Sequence, residues 1–439
     1  MNKNIAKNNS KVLIITYYWP PAGGPGVQRW LKFVKYLPDF GITPIVYIPE
    51  NPTYPIIDDK LRAEISQDII ILKQKIFEPF QIATFFSGNK STKLSSGIIP
   101  KIKNQTFIEK SLLWIRGNIF IPDARIFWVK PSVTFLEKYI VQHDIDTIIT
   151  SGPPHSLHLI GMGLREKLDI KWIADFRDPW TTIGYQKKLK LSKFAAAKHK
   201  KLESKVLNFA DQIIVTSPTT KVEFEYLTSK PIEVITNGFD SELASDQNLD
   251  SKFTLAHIGS FLSDRNPLIL WQVLSELTNV NSDFAKCFQL KLIGKVSQEV
   301  LDSIAFYGLS EFVDNRGYLS HSESITEQQK SQMLLLIEID SNDTKCIIPG
   351  KLFEYLAANR PIVAIGPKGS DIQEIIENSK AGIFVDYEQK EVLKAYILMS
   401  FEKYLSQNLF FKTNDIMQFS RKNLTAKLSQ LLFNSSSFV

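Results

Sequence analysis

Cysteine is nearly absent: the chain of 439 residues has two, Cys287 and Cys346, with no C-x-x-C spacing. That excludes a disulfide framework and a thiolate-held zinc centre, and both thiols are expected to be reduced. Long apolar runs are missing too. Stretches such as residues 12–15 and 333–337 have strand or short-helix length, well below the roughly 18 residues that span a bilayer. Residues 1–11 are polar and contain no signal-peptide core, so a cytoplasmic location is expected. There is no Gly-x4-Gly-Lys-Ser/Thr, which argues against a P-loop ATPase, and no Gly-x-Ser-x-Gly, which argues against a serine-hydrolase elbow. Asp144-Ile145-Asp146 has the D-x-D form of a metal clamp but precedes a strand pattern, so a helix-to-strand turn is expected there. Gly23-Gly24-Pro25-Gly26 lies between a strand and a helix pattern, where a dinucleotide site would lie. Arg29 stands where the third glycine is required, and Pro25 has no N–H to offer a pyrophosphate, so the dinucleotide reading is rejected.

No charge sign dominates: 52 Lys and Arg against 46 Asp and Glu leave +6. The distribution is uneven. One basic stretch holds Lys90, Lys93, Lys101, Lys103, Lys110 and Arg116; another holds Lys187, Lys188, Lys190, Lys193, Lys198, Lys200, Lys201 and Lys205. Lysines interleaved with Phe and Leu suit an anionic lipid surface, and the alternative is a solvated helix face. No nucleic-acid-binding module accompanies them, so nucleic acid is not expected as a partner.

What is present is a globular composition, 44% hydrophobic and 22% charged, in a chain long enough for two cores. Residues 12–17 form a continuous apolar run, as in a strand buried on both faces. A helix pattern over 27–38 and a strand over 45–48 complete a β-loop-α-β unit, which implies a parallel sheet. The alternation breaks over about 77–122, read as an insertion with some helix near 112–119. It resumes with a helix at 133–142, strands at 147–150, 171–174, 212–216 and 232–236, and a lysine-rich helix at 189–208. After Asn237-Gly238 and a polar linker, a second series places strands at 254–258, 289–293, 312–315, 334–339, 362–365 and 382–385, and a last helix at 416–432. The expected fold class is α/β, with two Rossmann-like doubly wound domains facing across a cleft. The expected boundaries are 1–238, with the insertion and a C-terminal helix 415–439 packing back on it, and 239–414.

In such folds ligands meet the carboxyl ends of the strands, and the candidate residues cluster there. They are Gly23, Gly24 and Gly26; Ser151-Gly152-Pro153-Pro154-His155 with His158; Asp175-Phe176-Arg177-Asp178-Pro179-Trp180; Gly259-Ser260 through Arg265; Gly294-Lys295; and Pro349-Gly350-Lys351 with Glu354. Gly350-Lys351 at a helix start suits a phosphate. Glu354, one turn further, can accept hydrogen bonds from a sugar diol, and the pair points to a nucleotide-sugar. The plain alternative is a surface Lys351–Glu354 ion pair. Arg265, Lys295 and Lys351 could neutralise a diphosphate without a metal ion.

The segments Pro20-Pro21-Ala22-Gly23-Gly24, Ile235-Thr236-Asn237-Gly238-Phe239-Asp240 and Gly350-Lys351-Leu352-Phe353-Glu354-Tyr355 resemble glycosyltransferase family four. These are retaining enzymes of GT-B fold, and the chain looks most like their bacterial surface-polysaccharide branch, with 175–180 as another familiar segment. The resemblance implies transfer of a hexose from a nucleotide-diphosphate sugar to a glycan or lipid-linked acceptor, without metal or other cofactor. It implies a donor site at Gly24, Arg265, Lys295, Lys351 and Glu354, an acceptor side at Gly23, Gly26 and Asp178, and His155 against the donor sugar. It also implies a cytoplasmic enzyme, peripheral on the inner face of the plasma membrane where its acceptor is lipid-linked. The sequence departs from the family pattern twice. Cys346 stands where the first of two paired glutamates is expected, and Ser260 where an arginine is expected. A nucleotide-sugar epimerase of the same fold and a non-catalytic scaffold remain the alternatives.

Overall fold

The structure is a computed structural model that describes residues 10–79, 107–184, 186, 189–240, 248–409 and 413–433. The middle of the expected insertion, including Lys90, Lys93, Lys101 and Lys103, lies outside the described residues, as do Lys187 and Lys188. The chain divides into two units, Met1–Asn237 with Arg421–Val439, and Gly238–Ser420.

The first unit holds strands β1 (Ser10–Ile15), β2 (Ile42–Pro49), β3 (Ile70–Gln74), β4 (Thr147–Gly152), β5 (Lys171–Phe176), β6 (Gln212–Val215) and β7 (Ile232–Val234). Its helices are α1 (Pro25–Tyr36), α2 (Phe107–Asn118), α3 (Ile126–Gln142), α4 (Ser156–Arg165), α5 (Lys193–Phe209) and α6 (Pro218–Glu225). The strands form one sheet in the order β3-β2-β1-β4-β5-β6-β7, and every pairing is parallel. Strand alternation sends Leu13 and Ile15 of β1 into one core and Val12 and Ile14 into the other. A sheet covered on both faces needs apolar residues at every position, which is why β1 reads as an unbroken run.

The second unit holds β8 (Phe253–Ile258), β9 (Phe288–Ile293), β10 (Val313–Gly317), β11 (Met333–Ile337), β12 (Ile362–Ile365) and β13 (Gly382–Val385). Its helices are α7 (Leu268–Val280), α8 (Ser282–Cys287), α9 (Gln298–Phe306), α10 (His321–Lys330), α11 (Gly350–Ala358), α12 (Asp371–Asn378) and α13 (Lys390–Leu405). The sheet order is β10-β9-β8-β11-β12-β13, again parallel throughout. Both sheets are therefore doubly wound. Strand order reverses between β1 and β4 in the first and between β8 and β11 in the second, and the ends of those strands are where such sheets receive ligands.

The last helix, α14 (Arg421–Phe433), joins the first unit. Leu424, Leu428 and Leu432 enter the core beside Val12 and Ile14, and Lys427 ion-pairs with Glu233 at 2.5 Å.

Candidate functional site

At the reversal point of the second sheet, Gly259 follows the last residue of β8 and Glu338 follows the last residue of β11. Gly259 (φ 113°) and Gly294 (φ 112°) hold backbone conformations that L side chains rarely adopt. A Cβ on Gly294 would lie 2.5 Å from the Gly259 carbonyl oxygen, so the loops after β8 and β9 touch through bare backbone.

Helix α11 is fixed over this edge by Tyr355, whose hydroxyl accepts from the Ile258 N–H at 3.0 Å. Lys351, one turn earlier on the same face, thereby meets β8: its Nζ lies 3.3 Å from His257 Nε2. Burial and the nearby Arg265 charge pull the Lys351 amine down to about 7, while Glu338 and Glu354 act the other way. Burial and Lys351 hold His257 well below its ordinary value, so that ring stays neutral. Arg265, ending the short turn Ser263–Arg265, reaches Glu338 with Nη2 3.3 Å from Oε2. No side chain caps α11 at Pro349, and an uncapped helix start suits an anion.

Glu354 accepts from Gln328 Nε2 at 3.1 Å, and its other oxygen lies 3.9 Å from His321 Nδ1. The surface Lys351–Glu354 ion pair is therefore not what the structure forms: Lys351 turns to His257 and Glu354 to α10. Arg265, Lys351 and Glu354 come together around one sheet edge. Lys295 is exposed; its carbonyl accepts from the Phe261 N–H at 2.8 Å, and no hydrogen bond or ion pair ties its side chain to the cluster. Cys346 and Ser260 occupy loops of the same unit.

In the first unit Arg29 has a positive role that the motif comparison could not supply. Its guanidinium grips the buried Asp175 at 2.8 Å and donates to the Thr236 carbonyl at 2.8 Å. Trp30 Nε1 and Ser151 Oγ also donate to Asp175, at 3.0 and 2.8 Å. These bonds join α1, β4 and β5 at the reversal point. Gly26 lies directly under Arg177, since a Cβ there would fall 1.7 Å from Nη1. Arg177 donates to the Gly152 carbonyl at 3.3 Å and also to the Pro153 carbonyl. Gly24 (φ 104°) is the N-cap of α1 and opens onto space, whereas a Cβ on Gly23 would press on Ile56. Asp178 is half-buried, and burial raises its carboxyl against the pull of Arg177.

His155 occupies the N-cap position of α4 without making a cap hydrogen bond. Asp123 does the capping, accepting from the Ser156 N–H at 2.9 Å and from Ser156 Oγ at 2.8 Å. The His155 ring stacks on Trp180 at 4.7 Å, and both its nitrogens are buried without a partner. Burial, the largest cause, together with His158 and Arg177 keeps it neutral. It lines a cavity of about 140 Å³ with Arg116, Asp123, Arg125 and Gln186. Asp144–Asp146 form the turn between α3 and β4, where Asp146 accepts from Thr147 Oγ1 at 2.8 Å. Among the described residues no group of three His, Cys, Asp or Glu could hold a metal ion.

Two polar residues at the reversal point of the second sheet were not anticipated as site residues. Glu338 follows an apolar strand directly, and His257 interrupts one; a polar residue at or inside a buried run was the signal that would have found them.

Two doubly wound parallel sheets are the architecture of the GT-B class of folds. The family model of Glycosyltransferase Family 4 matches residues 102–243. Among solved structures, HepE from Anabaena in complex with UDP superposes with a TM-score of 0.62 at 14% identity, covering 96% of this chain and 99% of that one. A glycosyltransferase from Rickettsia africae gives 0.59 at 16%, covering 98% and 100%. Sucrose-phosphate synthase from Thermosynechococcus elongatus gives 0.58 at 14%, covering 96% and 98%. No curated protein sequence matches the chain.

Proposed function

We propose that the chain is a retaining, metal-independent hexosyltransferase that moves a sugar from a nucleotide-diphosphate donor to a glycan or lipid-linked acceptor in surface-polysaccharide synthesis. The observation that carries this reading is the convergence of Arg265, Lys351 and Glu354 at the reversal point of the second sheet. Arg265, Lys351 and the uncapped start of α11 bind the diphosphate, with Lys295 as an outer cation. Glu354 accepts from the ribose hydroxyls. Gly23, Gly24, Gly26, His155 and Asp178 serve the reacting sugar and the acceptor. As the bond from the anomeric carbon to the diphosphate oxygen breaks, fixed cations stabilise the charge left on the phosphate. The acceptor oxygen bonds to the same carbon and its proton passes to the departing phosphate. No separate base is required.

HepE was determined with UDP and with UDP-glucose, which makes these the first ligands to test. Calorimetric titration with UDP, GDP, ADP and dTDP in EDTA should show one nucleotide bound by the wild-type chain. Glu354→Ala should weaken it by about tenfold or more, the worth of a hydrogen bond to a charged group. Unchanged affinity in Glu354→Ala removes the donor-site assignment. An anionic membrane is proposed as an additional partner. Lys193, Lys198, Lys200, Lys201 and Lys205 all stand on the exposed side of α5, beside the 77% exposed Phe194.

A further inference from the structure

Glu338 is the most buried carboxylate of the second unit's site and the least satisfied. The residue is 1% exposed, and its Oε1 has no hydrogen-bond partner. Its Oε2 has one contact, the 3.3 Å approach of Arg265 Nη2, and Arg265 Nε is itself buried without a partner. A guanidinium and a carboxylate can pair through two parallel hydrogen bonds; these two make a single long one. The backbone of Glu338 is fixed independently of the side chain. Its N–H donates to the Ile365 carbonyl at 2.9 Å, and its carbonyl accepts from Tyr387 Oη at 2.5 Å. The residue stands at the end of β11, beside the point where strand order reverses. A buried carboxylate oxygen without a donor is costly unless a ligand or water completes it.

The same unit lacks a carboxylate where one would be expected to hold sugar hydroxyls, because Cys346 fills that position. We propose that Glu338 is a specificity-determining residue, whose unpartnered oxygen accepts hydrogen bonds from hydroxyl groups of the donor hexose while its other oxygen orients Arg265 toward the diphosphate. The inference rests on the donor-site reading above. It assigns to β11 a role that the sequence pattern places in the loop before α11. A carboxylate, acceptor-only and held rigid, suits a hydroxyl-bearing ring and repels phosphate.

The test compares each nucleotide with its sugar: UDP with UDP-glucose, GDP with GDP-mannose, ADP with ADP-glucose and dTDP with dTDP-glucose. Titrations use the full chain as wild type, Glu338→Gln and Glu338→Ala, with thermal unfolding as the folding control. The readout is the ratio of nucleotide Kd to nucleotide-sugar Kd. Losing the Glu338 charge also alters Arg265 and Lys351, but those contacts serve nucleotide and nucleotide-sugar alike and cancel in the ratio. The expected result is a ratio lowered about tenfold in Glu338→Gln, with nucleotide still bound. An unchanged ratio in a folded Glu338→Gln protein overturns the inference and leaves the donor site standing, with Glu338 merely a partner of Arg265. A wild-type chain that binds the nucleotide but gains nothing from any of these sugars overturns it too. A wild-type chain that binds no nucleotide overturns both this inference and the function on which it rests.

Discussion

Lys351 joins the sequence motif to the chemistry most directly. A lysine at a helix start is ordinarily a solvated cation; this one faces His257, Arg265, Glu338 and Glu354, and its amine is pulled down to about 7. The sign follows from the base form. Below about pH 7 the amine is charged and attracts a diphosphate, and above it the charge is lost. Nucleotide affinity should therefore fall as pH rises through about 7, by up to about tenfold for each unit the proton is missing. Lys351→Arg should flatten that dependence, because guanidinium stays charged. Titrations at pH 6 and 8 that give equal affinities for the wild-type chain would remove Lys351 from the diphosphate site. His257 cannot produce the same profile, since burial and Lys351 keep it neutral.

At the scale of elements, the Arg29–Asp175 pair ties α1 to the ends of β4 and β5. Both partners are buried, and Asp175 also accepts from Trp30 and Ser151. Removing one member of such a pair leaves the other charge buried without a partner. Asp175→Ala should lower the stability of the first unit by about 3–5 kcal/mol, read as a shifted urea midpoint; a shift below about 1 kcal/mol would show Arg29 to be adequately solvated there. Legibility at this scale was uneven. Strands buried on both faces, such as β11 and β12, declare themselves as apolar runs. β1 begins and ends two residues before the expected strand, and β11 ends two residues before the expected end. β3 has no counterpart in the sequence pattern: Ile70–Gln74 is an edge strand, and Ile70 is 46% exposed, so its side chains carry no buried pattern. α3 begins at Ile126, seven residues before the expected start, and Pro131 is accommodated inside the helix.

Over the whole molecule, charge and hydrophobicity bear on where the chain works. No helix among the described residues is long and apolar enough to cross a membrane. If the α5 lysines meet anionic lipid, each contributes about 1 kcal/mol near such a surface. Co-sedimentation with vesicles of phosphatidylglycerol and phosphatidylcholine should then retain the chain at low salt and release it at high salt. Replacing Lys193, Lys198, Lys200, Lys201 and Lys205 with Gln should abolish retention. No retention at low salt would reduce α5 to a solvated face.

The sequence determined the local and repetitive features. Two β/α series, their parallel sheets and the loops carrying Gly23–Gly26, Arg265 and Lys351 could all be read from apolar periodicity and glycine placement. These follow from short-range backbone and burial physics, which each segment carries in itself. Tertiary structure decided the partnerships. Lys351 faces His257 across 94 positions of sequence, Arg265 reaches Glu338 across 73, and Arg29 reaches Asp175 across 146. Nothing in the local pattern of either member announces such a pair, because it is the order of strands in the sheet that brings distant strand ends to one edge.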